Sequence, residues 1–373
     1  MKIVYISASA SGYGGENALL ETVKRLPAGF EPFVILPEDG PLAERLEQAG
    51  IANARFSYAV LHRGCMRPAG LALYCITFAV SVFRFILVFR KIRPGIVHTN
   101  TSQVMPAALA ARVLNIPHVW HIREVPKIHP SLWYLWRLYI LNFSQKILCV
   151  STSVKQLFGR SVKTAVVHDG IDTFLFSPRA EGNTGDNVRV GMIARINPWK
   201  GHDLFIEAAA MVSKKSDDIE FIIAGDARKE YRSIEASLRK KAEEYGIGDK
   251  VAFTGFLSQQ KTSELINSLD IVIIPTKYTE SFGLVAIEAM ACGKAVIAPA
   301  EGGPLDIIED GVSGILAPPR KPEAYSKAVL SLLKDKALRE RMGREARRKV
   351  EENFTIERTV SGIVLIYRGL KAD

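Results

Sequence analysis

Apolar and polar positions along this chain alternate in a regular way. Short apolar runs bounded by Gly, Pro and polar turns are each followed by a longer stretch of helical periodicity. In the first half the apolar runs lie at residues 3–6, 33–36, 95–98, 118–121, 147–150 and 165–167. Helical patterns over 16–26, 41–49, 70–92, 103–114, 131–143 and 152–159 separate them. Runs that are apolar throughout, rather than every second residue, predict parallel strands covered on both faces. A polar Gly- and Pro-containing stretch at 177–187 reads as a linker. A second series of strands follows at 188–193, 219–224, 251–254, 271–275 and 295–298, and the chain ends in basic helices.

This βαβ rhythm predicts an α/β fold with two Rossmann-like parallel-sheet domains facing across a cleft. The first domain is expected over 1–176 and the second over 188–354. A last helix, about 355–370, is expected to cross back onto the first domain, so that 355–373 belongs with it. A length of 373 residues suits two domains better than one core.

Two helical segments depart from the usual amphipathic pattern. Residues 70–89 are apolar over nearly a membrane-spanning length, broken by Arg84 and followed by Arg90, Lys91 and Arg93. The surrounding strand-helix rhythm and the internal arginine argue against a span. An ordinary sheet-packing helix is one reading. The other, which we expect, is a helix lying against the sheet with an apolar stripe able to enter a bilayer surface. Residues 131–143 hold five aromatics, including Trp133 and Trp136, at home in a core or where one side is apolar and the other wet.

Charge sharpens this picture. Residues 1–170 carry 19 Lys/Arg against 9 Asp/Glu, while the remainder carries 30 of each. Between Gln48 and His168 the sole acidic residue is Glu124. Such asymmetry marks a surface for polyanions, and an anionic membrane fits apolar helices better than nucleic acid does. No RNA-binding, zinc or helix-turn-helix motif accompanies the basic residues. Cys65, Cys75, Cys149 and Cys292 are scattered without ligand spacing, which predicts buried reduced thiols. The N-terminus reads as a strand rather than a signal peptide, so a cytoplasmic protein is expected, held peripherally at the inner face of the membrane.

Candidate chemistry concentrates after the strand at 271–275. Glu280 and Glu288 stand eight positions apart, flanking Ser281-Phe282-Gly283 and the start of a helix. A turn there brings Glu280 to the helix mouth and leaves Glu288 one to two turns deeper. Two hydroxyl-accepting groups separated by amides at a positive helix end suit a ligand with hydroxyls at both ends and phosphate between. A nucleotide sugar has that layout, although a solvated Glu and a helix-dipole Glu would produce the same spacing. Ser-Gly-Tyr-Gly-Gly-Glu at 11–16 is a Gly-rich strand-to-helix turn, and Glu301-Gly302-Gly303-Pro304-Leu305-Asp306 is another. Arg195 and Lys200 bracket a Pro-containing loop after the strand at 188–193, where they could clamp a diphosphate.

Taken in order, Gly14-Gly15, the 191–201 segment with Arg195 and Lys200, Glu280 to Glu288, and Gly302-Gly303 resemble the retaining glycosyltransferases of family 4, which have the GT-B fold. The resemblance runs over nearly the whole chain and is densest from about 165 to 320. His168-Asp169 stands where Pro-Asn is commoner, and Asp306 where Glu is. The resemblance implies that Glu288 binds ribose hydroxyls and that Glu280 contacts the donor hexose. It implies that amides at Phe282, Gly283 and Leu284 hold sugar and phosphates, while Arg195 and Lys200 neutralise the departing diphosphate. Gly14 and Gly15 would line the first-domain side of the cleft, and His121 would stand beside the reacting sugar carbon. No metal or other cofactor is expected, with a nucleoside diphosphate sugar as donor substrate. The implied reaction is transfer of a hexose to a saccharide acceptor, lipid-linked if the membrane reading holds, in surface polysaccharide or lipopolysaccharide synthesis. A soluble acceptor, or a membrane-binding protein with an inactive donor site, are the alternatives. A glycoside hydrolase would set its carboxylates on opposite sides of a bond rather than on one segment.

Overall fold

The computed structural model describes residues 1–124, 130–179 and 187–372. It divides into two compact units. The first comprises residues up to Asp169 together with the helix Ile356–Ala372, and the second spans Gly170–Thr355.

The first unit is built on a seven-stranded sheet: β1 (Lys2–Ile6), β2 (Glu31–Leu36), β3 (Ala52–Arg55), β4 (Ile96–Thr99), β5 (His118–Ile122), β6 (Lys146–Cys149) and β7 (Thr164–Val166). Its order is β3-β2-β1-β4-β5-β6-β7, parallel throughout. Side chains of β1 alternate between two cores, as strand geometry requires. Ile3 and Tyr5 pack with Leu19, Leu20 and Val23 of the helix Gly14–Lys24 and with Ile363 and Tyr367 of the final helix. Val4 and Ile6 pack on the other face with Phe85 and Phe89 of the helix Pro68–Ile92 and with the alanines of Pro106–Val113. The final helix is fastened by buried polar contacts: the Tyr367 hydroxyl donates to Tyr5 at 2.9 Å and lies 2.6 Å from His98 Nδ1.

The second unit carries six parallel strands: β8 (Val188–Ile193), β9 (Ile219–Ala224), β10 (Val251–Gly255), β11 (Ile271–Ile273), β12 (Ala295–Pro299) and β13 (Ile315–Ala317). Their order is β10-β9-β8-β11-β12-β13. Val190, Met192, Phe221, Ile223, Ile271 and Ile297 share one core with the helices His202–Ser213 and Pro322–Lys334.

Two strands escape the periodicity analysis. β3 reads Ala-Asn-Ala-Arg and stands at an open edge, paired on one side only and with none of its residues fully buried. β13 is a three-residue edge strand, too short to register as a run. The division between units also differs from the sequence expectation, falling at Asp169/Gly170 rather than in the polar stretch 177–187. Residues 170–179 are bonded to the second unit. Ser263 Oγ donates to the Leu175 carbonyl at 2.7 Å, and the Asn267 amide bridges Ser177 O and Arg179 N at 3.0 and 2.9 Å. Residues 180–186 of that stretch lie outside the described residues. Of the four cysteines, Cys65, Cys149 and Cys292 are buried and free as expected, but Cys75 is exposed because its stretch of helix is not covered.

Arg347 holds residues 170–179 most directly, donating to the carbonyls of Thr173, Phe176 and Ala291 at 3.3, 2.8 and 2.8 Å. Arg347→Met leaves three carbonyls without this donor and should cost about 2–4 kcal/mol. A lower urea midpoint for the second unit is the expected result. An unchanged midpoint would show that these contacts do not hold the segment.

Candidate functional site

In each unit the strand order reverses at one point, between β1 and β4 in the first and between β8 and β11 in the second. Ligands of open α/β sheets bind above the carboxyl ends of the two strands at such a reversal, which is where the loops leaving β8 and β11 stand. The β8 loop carries Arg195 and Lys200, and the β11 loop carries Glu280, Phe282 and Gly283.

These loops are locked to each other by their backbones. Asn197 Oδ1 accepts the amides of Trp199 and Lys200 at 3.2 and 3.1 Å, tightening the β8 loop into a turn. The Trp199 carbonyl then accepts the Lys277 amide at 2.9 Å and the Thr276 hydroxyl at 3.0 Å. Gly201 has φ 79° and lies so close to Pro275 that a Cβ would overlap its carbonyl oxygen. The β12 loop closes from the other side. Gly303 N–H donates to the Glu280 carbonyl at 2.8 Å, and a Cβ on Gly302 or Gly303 would overlap the backbone of Glu280 or Phe282. Gly283, at φ 115°, turns the chain into the helix Leu284–Ala291, whose N-terminus is the positive end of its dipole.

Within this frame the structure brings Lys200 and Glu280 together, Nζ to Oε2 at 2.6 Å, both partly buried. Arg195 is half-buried at the start of the same loop. Glu288 lies in the second turn of the helix, half-buried, and its carboxylate has no hydrogen bond or ion pair among the described residues. Burial without a partner pushes that carboxyl up to about 7. Phe282 is buried, 6.0 Å between ring centroids from Phe354, and so supports the turn from beneath. His202, which the sequence did not single out, sits buried at the start of the next helix with Nε2 3.3 Å from the Ala194 carbonyl. Burial lowers it to about 4, so it is neutral at physiological pH. Among the described residues no group of three His, Cys, Asp or Glu side chains is placed to hold a metal ion.

Gly14, Gly15 and His121 belong to the first unit. Gly14 and Gly15 open the helix after β1 without left-handed backbone, and a Cβ on Gly15 would meet nothing within 4 Å. Glycine there leaves room above a helix N-terminus rather than shaping the turn. His121 is wholly buried on β5, its ring 5.4 Å from that of His98. Neither of its nitrogens has a hydrogen-bond partner among the described residues, and burial holds it well below the ordinary histidine range, hence neutral. Strand alternation turns this side chain onto the sheet face that carries His98. The charged groups at the carboxyl end of β5 are Arg123, ion-paired with Asp169 and 3.0 Å from Asn100 Oδ1, and Glu124. Glu124 accepts from Thr101 Oγ1 and from Ser102 N and Oγ, the latter two at 2.7 and 2.9 Å. Its isolation in a basic stretch was the one sequence signal for this cluster.

Comparison with known proteins follows the same division. The model of the family described as Glycosyltransferase Family 4 matches residues 13–174, and that described as Glycosyl transferases group 1 matches residues 175–349. A D-inositol 3-phosphate glycosyltransferase of Salinispora arenicola is 31% identical over 226 residues, covering 55% of this chain and 49% of that protein. An uncharacterised glycosyltransferase of Methanocaldococcus jannaschii is 28% identical over 282 residues, covering 73% and 74%. The chain spans about half the length of most of the curated relatives it matches. Among solved structures, Anabaena HepE in complex with UDP superposes with a TM-score of 0.86 at 22% identity, covering 99% of this chain and 100% of the other. At that identity the likeness concerns the fold.

The raised Glu288 carboxyl has a stability consequence with a definite sign. The folded state binds its proton more tightly than the unfolded state, so stability falls as pH rises from the ordinary carboxylate range to about 7 and is level above. Glu288→Gln removes that slope. Relative to the native chain it should gain about 1–3 kcal/mol between pH 4.5 and 8, measured by urea unfolding across that range. Parallel pH profiles for the two proteins would contradict the assignment.

Proposed function

The chain belongs to the group 1 glycosyltransferases of family 4, and from that premise we propose that it transfers a hexose from a nucleoside diphosphate sugar to a saccharide acceptor, with retention at the anomeric carbon. The observation that carries the proposal is the set of groups gathered beyond the carboxyl ends of β8 and β11. There a helix N-terminus, the Lys200–Glu280 pair and the unpartnered Glu288 carboxylate stand on loops bonded to one another.

Each group has a role that follows from charge. Breaking the anomeric carbon–oxygen bond leaves positive charge on the sugar and negative charge on the diphosphate. Lys200 and Arg195 with the amides of Phe282, Gly283 and Leu284 stabilise the diphosphate where its charge develops, which is the largest catalytic term in sites of this kind. Lys200 held by Glu280 is already positioned, so little reorganisation is needed when phosphate arrives. Glu280 then takes a hexose hydroxyl and Glu288 the ribose hydroxyls, each as acceptor for O–H donors. The acceptor hydroxyl attacks from the face the diphosphate leaves, and the leaving phosphate oxygen takes its proton. The protein cations carry this charge without a bound metal. That HepE, a protein of the same fold, has been solved with UDP supports a uridine nucleotide as the first donor to try.

The acceptor reading rests on the first unit. Its excess of basic residues and the uncovered apolar face of the helix Pro68–Ile92 favour a peripheral enzyme at the inner face of a membrane. A lipid-linked saccharide of surface polysaccharide or lipopolysaccharide synthesis is the acceptor class that such a location would supply.

The test is donor turnover. Release of nucleoside diphosphate should be detectable with one nucleotide sugar and persist in excess chelator, and the transferred hexose should keep its anomeric configuration by NMR. Lys200→Met and Arg195→Met should each lower turnover by about 10²–10³-fold. Inversion, or variants that turn over normally, would overturn the roles assigned here.

A further inference from the structure

The helix Pro68–Ile92 is two structures in one. Its C-terminal half belongs to the core: Ser81, Phe85 and Phe89 are 2%, 0% and 1% exposed. Ser81 Oγ accepts the Ala59 amide at 2.8 Å, and Arg84 donates to the Ser57 carbonyl at 2.9 Å, tying this half to the segment after β3. The N-terminal half is bare on most of its circumference. Leu71, Leu73, Ile76 and Val80 are 47–64% exposed, and only Tyr74 and Phe78 lean on a neighbour, Phe78 against Tyr139 at 6.5 Å. That neighbour, the helix Pro130–Asn142, adds exposed Leu135 and Leu138 beside it. Contiguous exposure of this kind marks an interaction surface rather than chance.

Three occupants fit an apolar helix, and the structure separates them. A transmembrane span would pull Phe85, Phe89 and Ser81 out of the core and leave their places empty. A second copy is suggested by the exposed series Leu73, Ile76, Val80, Phe83 and Leu87, whose steps of three and four are those of a coiled-coil seam. Yet that seam is flanked by Arg67, Arg84, Arg90 and Lys91, with no acidic residue between Gln48 and Arg123. Two copies, parallel or antiparallel, would meet with like charges. An anionic bilayer satisfies both the apolar face and the basic ends.

We propose that residues 69–80 form a membrane-inserting anchor, which enters the acyl layer of an anionic bilayer while the C-terminal half of the helix stays on the sheet. The anchor lies on its side in the bilayer surface, its apolar face in the acyl boundary and Arg67 at its N-terminal end kept at the lipid phosphates. Arg90 and Lys91, exposed at the other end, meet lipid phosphates, and Leu135 and Leu138 widen the contact. This inference rests on the membrane location proposed above and specifies how it is achieved.

Cys75, the exposed thiol within the anchor, supplies the probe, since the other three cysteines are buried. The full chain, labelled at Cys75 with an environment-sensitive fluorophore, is mixed with vesicles of phosphatidylglycerol and phosphatidylcholine in equal parts, or of phosphatidylcholine alone. Unlabelled protein is co-sedimented with the same vesicles. The expected result is a blue-shifted emission, quenched by acyl-chain nitroxides, with anionic vesicles. A Leu73→Glu/Ile76→Glu variant, folded by circular dichroism, should bind them on the order of 100-fold more weakly. Sedimentation of the native chain with a Cys75 probe that stays in water, or with an unimpaired variant, overturns the anchor and leaves the membrane location standing. No sedimentation with either vesicle overturns both. A dimer in solution that the double substitution dissolves, without vesicle binding, assigns the face to a second copy and also overturns the anchor.

Discussion

The site depends on close backbone contact among three loops. Residues 194–201, 274–283 and 300–303 leave neighbouring strands β8, β11 and β12, and they touch main chain to main chain. Gly201 against Pro275, and Gly302 and Gly303 against Glu280 and Phe282, leave no space for a Cβ. Side chains of Lys200, Glu280 and Glu288 are therefore placed by rigid peptide groups rather than by flexible loops. A ligand with several charges and hydroxyls loses little free energy ordering such a site.

The same constraint explains what could be read from the sequence. The glycines and the Glu280–Glu288 spacing were visible, because a backbone that must approach another backbone admits only Gly, and a helix after a turn has a fixed pitch. Strands in the middle of each sheet were visible because burial on both faces makes them apolar throughout. The Lys200–Glu280 pair was not legible, since 80 residues separate its members and only the adjacency of β8 and β11 joins them. The surroundings of His121 are not legible for a related reason. Its position at a strand end was apparent, but which face its side chain takes depends on pairing with β4 and β6, and that pairing turns it inward onto His98. Arg123 and Asp169 are 46 residues apart and became a pair only in the folded sheet.

The first unit shows how one helix can combine ordinary and unusual requirements. Phe85 and Phe89 are as buried as any core side chain, which is why the strand-helix rhythm runs through this segment unbroken. Ten residues earlier the helix has outrun the sheet, and its apolar residues face outward. Apolarity alone could not separate the two halves, because both are rich in Leu, Ile and Phe. Only the folded structure, which covers Ser81, Phe85 and Phe89 and leaves Leu73 and Ile76 bare, separates them.

Everything proposed for the second unit turns on whether the groups at the β8/β11 reversal bind a nucleoside diphosphate through Glu288. Calorimetric titration of the folded chain with UDP, GDP and ADP, beside Glu288→Ala, tests it most directly. One-site binding of at least one nucleotide is expected, weakened about 10–100-fold by the substitution. Absence of binding by the native chain, or equal binding by the variant, would contradict it.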